Sequence, residues 1–423
     1  MKRTIFNTST RLILFFLLIA AQVLTSCNES AREEESSLIK PGTWRVALQA
    51  QGQVIPFIME ADTTGGKEVL YLVNGEERIL LDEIEQKGDS VKIKLHIFDA
   101  DLIAKIEDNN MTGRFTRNDL DYRYSVPFTA ELGNSNRFEE DPAAATFNYD
   151  GKWEVVFTNR DGKSYKAVGV FEQDNNNLTG TFLTETGDYR YLQGQVEGDQ
   201  LKLSTFDGNH AYLFTAAPTT ADELKGEFFS GMKDYETWTA KRNENAKLAA
   251  ADSLTFLKPG YDKLSFSFPD LTGKQVSLAD SKFKGKVVIV QLLGSWCPNC
   301  LDETLFLSPY YNKNKDRGLE IIGLGFERSP EFDKAAARLQ KMKNRLNINY
   351  NLLVAGTSDK EAAAKALPAL NHVMSFPTTI FIDRAGKVRK IHTGFSGPGT
   401  GKYYDEFVTD FNKTVEELLA EKE

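Results

Sequence analysis

One stretch limits the fold of this chain more than any other. From Val287 to Leu293 every residue is apolar except Gln291, which predicts a buried central strand. Gly294 and Ser295 break the run, and Trp296-Cys297-Pro298-Asn299-Cys300 follows. Leu301, Leu305 and Leu307 then continue as the apolar stripe of a helix. A strand that ends in C-x-x-C and opens a helix sets the first sulfur beside unpaired N–H groups and the positive end of the helix dipole, where a thiolate is favoured. Pro298 suits the first helical turn because it has no N–H to lose. The pattern points to a dithiol/disulfide pair.

The chain has three cysteines, and Cys27 is accounted for separately below, so Cys297 and Cys300 have only each other. A zinc site would need two more ligands, and His96, His210, His372 and His392 show no ligand spacing. Neither a metal nor another cofactor is expected. The 423 residues, 41% hydrophobic and 26% charged, are enough for two or three domains with separate cores. A net charge of −9 without a basic block argues against nucleic acid as a partner.

Residues 1–27 read as a leader rather than part of the fold. Lys2, Arg3 and Arg11 precede an apolar run, Leu12–Leu24, too short for an ordinary membrane span and suited to a signal-peptide core. Leu24-Thr25-Ser26-Cys27 resembles a bacterial lipobox, in which the cysteine is lipidated and becomes the first mature residue. The alternative is a plain secretory signal with a chance cysteine. Acylation of Cys27 would make the lipid bilayer a partner. Residues 28–40, with Glu33-Glu34-Glu35 and several serines, read as a solvated tether.

From Pro41 to about Asn245 short alternating strands are separated by Gly, Asn and Asp turns. The stretch repeats itself at about 110 residues. Gly42-Thr43-Trp44-Arg45-Val46 answers Gly151-Lys152-Trp153-Glu154-Val155, and Gly88-Asp89-Ser90-Val91 answers Gly198-Asp199-Gln200-Leu201. Phe98-Asp99 likewise answers Phe206-Asp207. Each copy, 41–140 and 141–245, carries about eight candidate strands, enough for an eight-stranded barrel- or sandwich-like unit. One merged structure of sixteen strands is the alternative. Aromatics such as Trp44, Phe57, Trp153, Phe171, Phe182 and Trp238 fit a plain core, or the lining of a ligand cavity. Residues 246–260 read as a short linker, helical in part through Ala249-Ala250-Ala251.

Beyond the linker, residues 261–423 alternate strand and helix. Helices are expected after the cysteines to about Arg317, over Phe332–Leu346, over Lys360–Leu370 and over Tyr403–Leu419. These segments should cover a sheet built from Val287–Leu293, Leu319–Phe326, Tyr350–Val354, Thr378–Asp383 and Lys387–Ile391.

Here the residues resemble the thioredoxin fold and, within it, the TlpA/ResA-like membrane-anchored thiol-disulfide oxidoreductases. The likeness covers about Leu264–Leu419. It rests on Lys284-Gly285-Lys286 before the central strand, on Trp296-Cys297-Pro298-Asn299-Cys300, and on Ser375-Phe376-Pro377-Thr378-Thr379 leading into Ile380-Phe381-Ile382-Asp383. The resemblance implies a cis Pro377 against the two sulfurs, with Phe376 offering its backbone to an incoming peptide. Trp296 and Pro298 would complete the substrate-binding surface. Cys297 would be the exposed nucleophile and Cys300 the buried resolving cysteine. Two departures stand out. Gln291 occupies a position where such proteins often have a buried acid, and Asn299 lies between the cysteines. Glu327, at the end of the Leu319–Phe326 strand, is the candidate acid for proton transfer.

The family likeness further implies a periplasm-facing reductase of the cell envelope that acts on disulfides of exported proteins. A membrane thiol-electron transporter would be its reductant. A thiol peroxidase is a rival, though Gly294 stands where peroxiredoxins carry the Thr three residues before their nucleophile. The other rival is a non-enzymatic binding lipoprotein that uses its β domains.

Overall fold

A computed structural model describes residues 38–65 and 67–421. The leader with Cys27 and the tether residues 28–37 lie outside the described residues.

The first β unit is an antiparallel sheet of nine strands: β1 (Gly42–Ala50), β2 (Gln53–Thr64), β3 (Lys67–Asn74), β4 (Glu77–Leu81), β5 (Ile84–Lys87), β6 (Ser90–Lys94), β7 (Ala100–Glu107), β8 (Asn110–Arg117) and β9 (Tyr124–Leu132). Their order is β4-β3-β2-β1-β9-β8-β7-β6-β5. The two ends of that order, β4 and β5, are separated by only Asp82 and Glu83, so they are halves of one kinked strand. One half pairs with β3 and the other with β6, and the chain itself closes the ring.

The second unit repeats the plan with β10 (Gly151–Asn159), β11 (Ser164–Asp174), β12 (Asn177–Thr184), β13 (Gly187–Asp188), β14 (Leu192–Glu197), β15 (Gln200–Phe206), β16 (Ala211–Thr220), β17 (Glu223–Ser230) and β18 (Asp234–Arg242). Its kink falls at Tyr189–Tyr191, and β12 pairs with both halves, so here hydrogen bonds complete the ring. Counting the kinked strand once leaves eight strands in each ring. No strand of one sheet pairs with the other among the described residues, so the merged sixteen-stranded arrangement is not what forms.

Matching residues do matching work in the two copies. Trp44 and Trp153 are fully buried, and each indole donates to a carbonyl four residues earlier, Lys40 at 3.0 Å and Tyr149 at 2.8 Å. Along β10 the period of two sends Trp153, Val155 and Phe157 inward. Phe157, Phe182, Phe214, Phe228 and Trp238 pack together inside the second barrel, Phe214 stacked on Phe228 at 4.2 Å. The aromatics therefore fill the interior as core. The barrels lie side by side, with Phe206 of the second stacked on Phe57 of the first at 4.2 Å. Between them the buried Arg137 guanidinium donates to Pro56 O and Ser204 Oγ. It also reaches Val73 O and Gln193 Oε1, so one side chain ties both barrels.

The C-terminal domain opens with a small hairpin, β19 (Ser267–Pro269) and β20 (Gln275–Ser277). Its main sheet has the order β23-β22-β21-β24-β25. These strands are β21 (Val287–Leu293), β22 (Leu319–Glu327), β23 (Asn351–Thr357), β24 (Thr378–Ile382) and β25 (Val388–Thr393). The helices are α1 (Pro298–Asn314), α2 (Phe332–Arg345), α3 (Lys360–Ala366) and α4 (Lys402–Ala420). Central β21 is buried at every residue, parallel to β22 and antiparallel to β24. On α4, Phe407, Phe411, Val415 and Leu418 recur every three or four residues and are buried. Gly325 lets α2 approach the sheet, since a Cβ there would meet Leu339 at 2.4 Å.

Residues 246–260 differ from a helical linker. Only a short 3-10 turn forms, at Ala251–Ser253. Ala246 packs on Val168 and Leu183 of the second barrel, while Thr255 N donates to Thr393 Oγ1 and Lys258 N to Ala369 O. Backbone hydrogen bonds to the C-terminal domain make this segment a fitted seam.

Candidate active site

β21 delivers Cys297 to the head of α1. Cys297 is the residue that caps the helix, and its sulfur accepts from Cys300 N at 3.1 Å. Pro298 holds the first helical position. The two cysteines are joined as a disulfide across a Cα–Cα distance of 5.2 Å, within the usual range for such a bond. The loop before β24 comes to the same place. Cys297 Sγ stands 3.4 Å from Phe376 O, and the Phe376–Pro377 peptide bond is cis. Trp296 donates from Nε1 to Phe326 O at 2.9 Å and meets the Phe376 ring edge-on at 5.9 Å. Trp296, Cys297, Pro298, Cys300, Phe376 and Pro377 are thus assembled in one place.

Glu327 is fully buried at the end of β22. One carboxylate oxygen accepts from Ser295 N and the other from Ser295 Oγ, both at 2.8 Å. Burial raises its pKa, opposed by the two Ser295 bonds. With both oxygens engaged on the loop two residues before Cys297, the carboxylate holds that loop in place.

The family described as Redoxin matches residues 259–406. The C-terminal domain is redoxin-like, and it is similar to the TlpA/ResA-like thioredoxin-fold proteins. The thiol-disulfide oxidoreductase ResA of Bacillus thuringiensis subsp. konkukian is 33% identical over 129 residues, 30% of this chain and 66% of that protein. ResA of Bacillus subtilis is 29% identical over 150 residues, 36% of this chain and 74% of that protein. A thioredoxin-family thiol:disulfide interchange protein from Chlorobium tepidum, known as a crystal structure, shares 22% identity. That likeness covers 38% of this chain and 96% of that one, at a TM-score of 0.30. The match spans slightly less than two thirds of the first relative's length, and the Redoxin match leaves the two barrels outside it.

Within the redoxin domain, one further acid lies near the cysteines in sequence. Glu303 lies three residues after Cys300 on α1 and is fully buried. Its Oε1 accepts from Thr379 Oγ1 at 2.6 Å and its Oε2 from Gln291 Nε2 at 2.8 Å. Burial lifts its pKa to about 7, against those two bonds. Gln291 therefore does not leave the site without an acid; it holds one that α1 supplies. The available signal was spacing, since residues three apart share a helix face. It was hidden because the leucine stripe suggested another face. Leu305, expected inside, is 51% exposed, while Asp302, Glu303 and Thr304 are buried.

Glu303 and Thr304 are buried against Gln291 and Thr379 of the sheet, whereas Asp302 is buried where the barrels cap the redoxin domain. Asn299 Nδ2 donates to Asp188 O at 3.3 Å, and Asn209 Nδ2 donates to Trp296 O at 3.0 Å. Ser375 Oγ donates to Thr186 O at 2.6 Å, and Gly397 N to Asp188 Oδ2 at 2.6 Å. Asp302 pairs with Arg190 at 3.1 Å, and Arg190 also pairs with Glu77 of the first barrel. Cys297, expected exposed, is only 5% exposed, with Cys300 at 0%. The residue on each side of the Cys297-Pro298 pair is bonded to the second barrel.

Proposed function

We propose that this chain is a thiol-disulfide oxidoreductase of the cell envelope that reduces disulfides of exported proteins through Cys297 and Cys300. The observation that carries the reading is a disulfide whose first sulfur caps a helix and stands beside Phe376 O. The activity named for the matched relatives is the same. The Cys297 thiolate attacks one sulfur of a partner disulfide, forming a mixed disulfide and releasing the partner's other sulfur as a thiolate. Cys300, once deprotonated, attacks Cys297 Sγ, frees the second partner thiol and closes the Cys297–Cys300 bond. Two electrons pass to the partner. The reductant that restores the dithiol would be a membrane thiol-electron transporter. The Cys300 proton goes to Glu303, which lies one helical turn away and carries a pKa suited to neutral pH. Glu327 keeps the loop before Cys297 in place. Trp296, Pro298 and Phe376-Pro377 receive the substrate.

Cys27 would hold the protein on the membrane through its acyl chains, facing the periplasm. Among the described residues no helix is long and apolar enough to cross a membrane. Mass spectrometry of the mature terminus tests the anchor: a lipidated Cys27 is expected, and an unmodified terminus elsewhere refutes it.

The activity is tested with insulin as a disulfide substrate and dithiothreitol as reductant. The full chain should accelerate insulin reduction, Cys297→Ser should abolish the effect, and Cys300→Ser should accumulate a mixed disulfide at Cys297. No acceleration and no trapped species would leave the non-enzymatic binding reading in its place.

A further inference from the structure

The two barrels turn equivalent parts toward the redoxin domain. In the first, the kink residues Asp82 and Glu83 both pair with Arg345, and Asp99, just before β7, pairs with Arg338. In the second, the kink carries Arg190 to Asp302, and the loop before β16 carries Asn209 to Trp296 O. Asp119, before β9, pairs with Arg328, whose guanidinium lies 4.8 Å over the Trp296 ring. Phe98, Asp119 and Asn209 leave a void of only about 10 Å³ against Trp296 and Glu327. Because Arg137 and the Phe57–Phe206 stack lock the barrels together, they act on the dithiol as one body.

The two sides of this contact are built differently. On one side lie the seam 246–260, the Ser375–Thr186 and Gly397–Asp188 bonds, and the buried Arg190–Asp302 pair. On the other, Arg328, Arg338 and Arg345 face Asp119, Asp99, Asp82 and Glu83, and most of these side chains remain partly exposed. Partly exposed ion pairs are weak and screened by salt. The first side is a pivot and the second a latch.

We propose that the two β barrels are a steric gate over the dithiol. Docked, they keep folded protein disulfides away from Cys297, and they release its Trp296–Phe376 side when the arginine latch opens. This assigns a specificity function to the β region and rests on Cys297 being the nucleophile of the reaction above.

Alkylation measures access without requiring turnover, so its outcome is separate from that of the insulin assay. In a Cys300→Ser background, Cys297 is labelled with N-ethylmaleimide and with a polyethylene-glycol maleimide of about 5 kDa, and followed by peptide mapping. Each rate is divided by the rate for free cysteine. The bulky reagent is expected to react at least tenfold more slowly relative to the small one at low salt. Molar salt should shrink that gap, and so should Arg338→Glu with Arg345→Glu. Adding Asp82→Lys, Glu83→Lys and Asp99→Lys to the double variant should restore the gap, which a merely unfolded chain would not do. Equal normalised rates in the parent chain overturn the gate. So does a gap that ignores salt and both arginine changes, or one that stays closed after the charge swap.

Discussion

Asn209 donates a 3.0 Å hydrogen bond to the carbonyl of Trp296, so the residue immediately before Cys297 is held by a loop of the second barrel. Asn299, between the cysteines, is held by the same barrel through Asp188 O. The redox motif is thus positioned by two domains, and its chemistry is open to variants far from the sulfurs.

Glu303→Gln should slow resolution of the mixed disulfide while leaving the first attack by Cys297 intact. A base with a pKa of about 7 becomes competent as pH rises through neutrality. The parent resolution rate should therefore rise between pH 6 and 8 with an inflection near 7. The Gln variant should lack the inflection and run about 10²-fold slower at pH 8, the lower end for general-base help. Glu327→Gln should keep the inflection. Stopped-flow resolution of a preformed mixed disulfide decides between the two acids.

The same group makes a stability prediction with a definite sign. Folding holds the Glu303 proton to about pH 7, whereas the unfolded chain releases it near the ordinary glutamate value of 4.5. The unfolded state thus binds fewer protons between those values, and this group's contribution to stability falls as pH rises from 4.5 to 7. The full cost above pH 7 is roughly 3 kcal/mol. Glu303→Gln should gain on the parent by up to that amount at pH 8 and by almost nothing at pH 4, read by urea unfolding. A difference independent of pH would refute the assignment.

Arg190→Met should destabilise strongly. Arg190 is the shared partner of Glu77 and Asp302, and its guanidinium opposes the burial that raises the pKa of Asp302. Removing one partner of a buried pair costs about 3–5 kcal/mol. Because Arg190 joins all three domains, thermal unfolding should also become less cooperative. A calorimetric trace that keeps one transition at the parent temperature would count against this role.

Trp44→Phe and Trp153→Phe should behave alike, because each loses the same indole–carbonyl bond and similar volume from equivalent sites. Each should cost about 1–3 kcal/mol by chemical denaturation, from one lost hydrogen bond and a partly refilled cavity. Leu305→Ser, on the exposed side of α1, should fall within about 0.5 kcal/mol of the parent.

Local pattern alone carried a good deal of this protein. The apolar run to Leu293, the Pro after Cys297 and the periodic spacing of Phe407, Phe411, Val415 and Leu418 each act over a few residues. Strand, helix head and helix face could therefore be read without knowing what lies across the chain. The repeat of Trp44 at Trp153 likewise announced two copies, since each tryptophan bonds a carbonyl only four residues away. The expected eight strands per copy form, although the kinks at Asp82–Glu83 and Tyr189–Tyr191 split one strand of each ring without a clear turn signal. Tertiary structure alone decided the rest. That Glu303 is buried against Gln291 and Thr379 depends on which side of α1 meets the sheet, and the leucine spacing did not mark it, since Leu301 and Leu307 are buried but Leu305 is exposed. Cys297 reads as exposed at a helix mouth, yet it is buried beside Phe376, between two residues, Trp296 and Asn299, that are bonded to a barrel more than 80 residues earlier. No local pattern encodes that contact: its cause is the packing of one barrel end against one helix, and its bonds join residues as distant as Asp188 and Asn299.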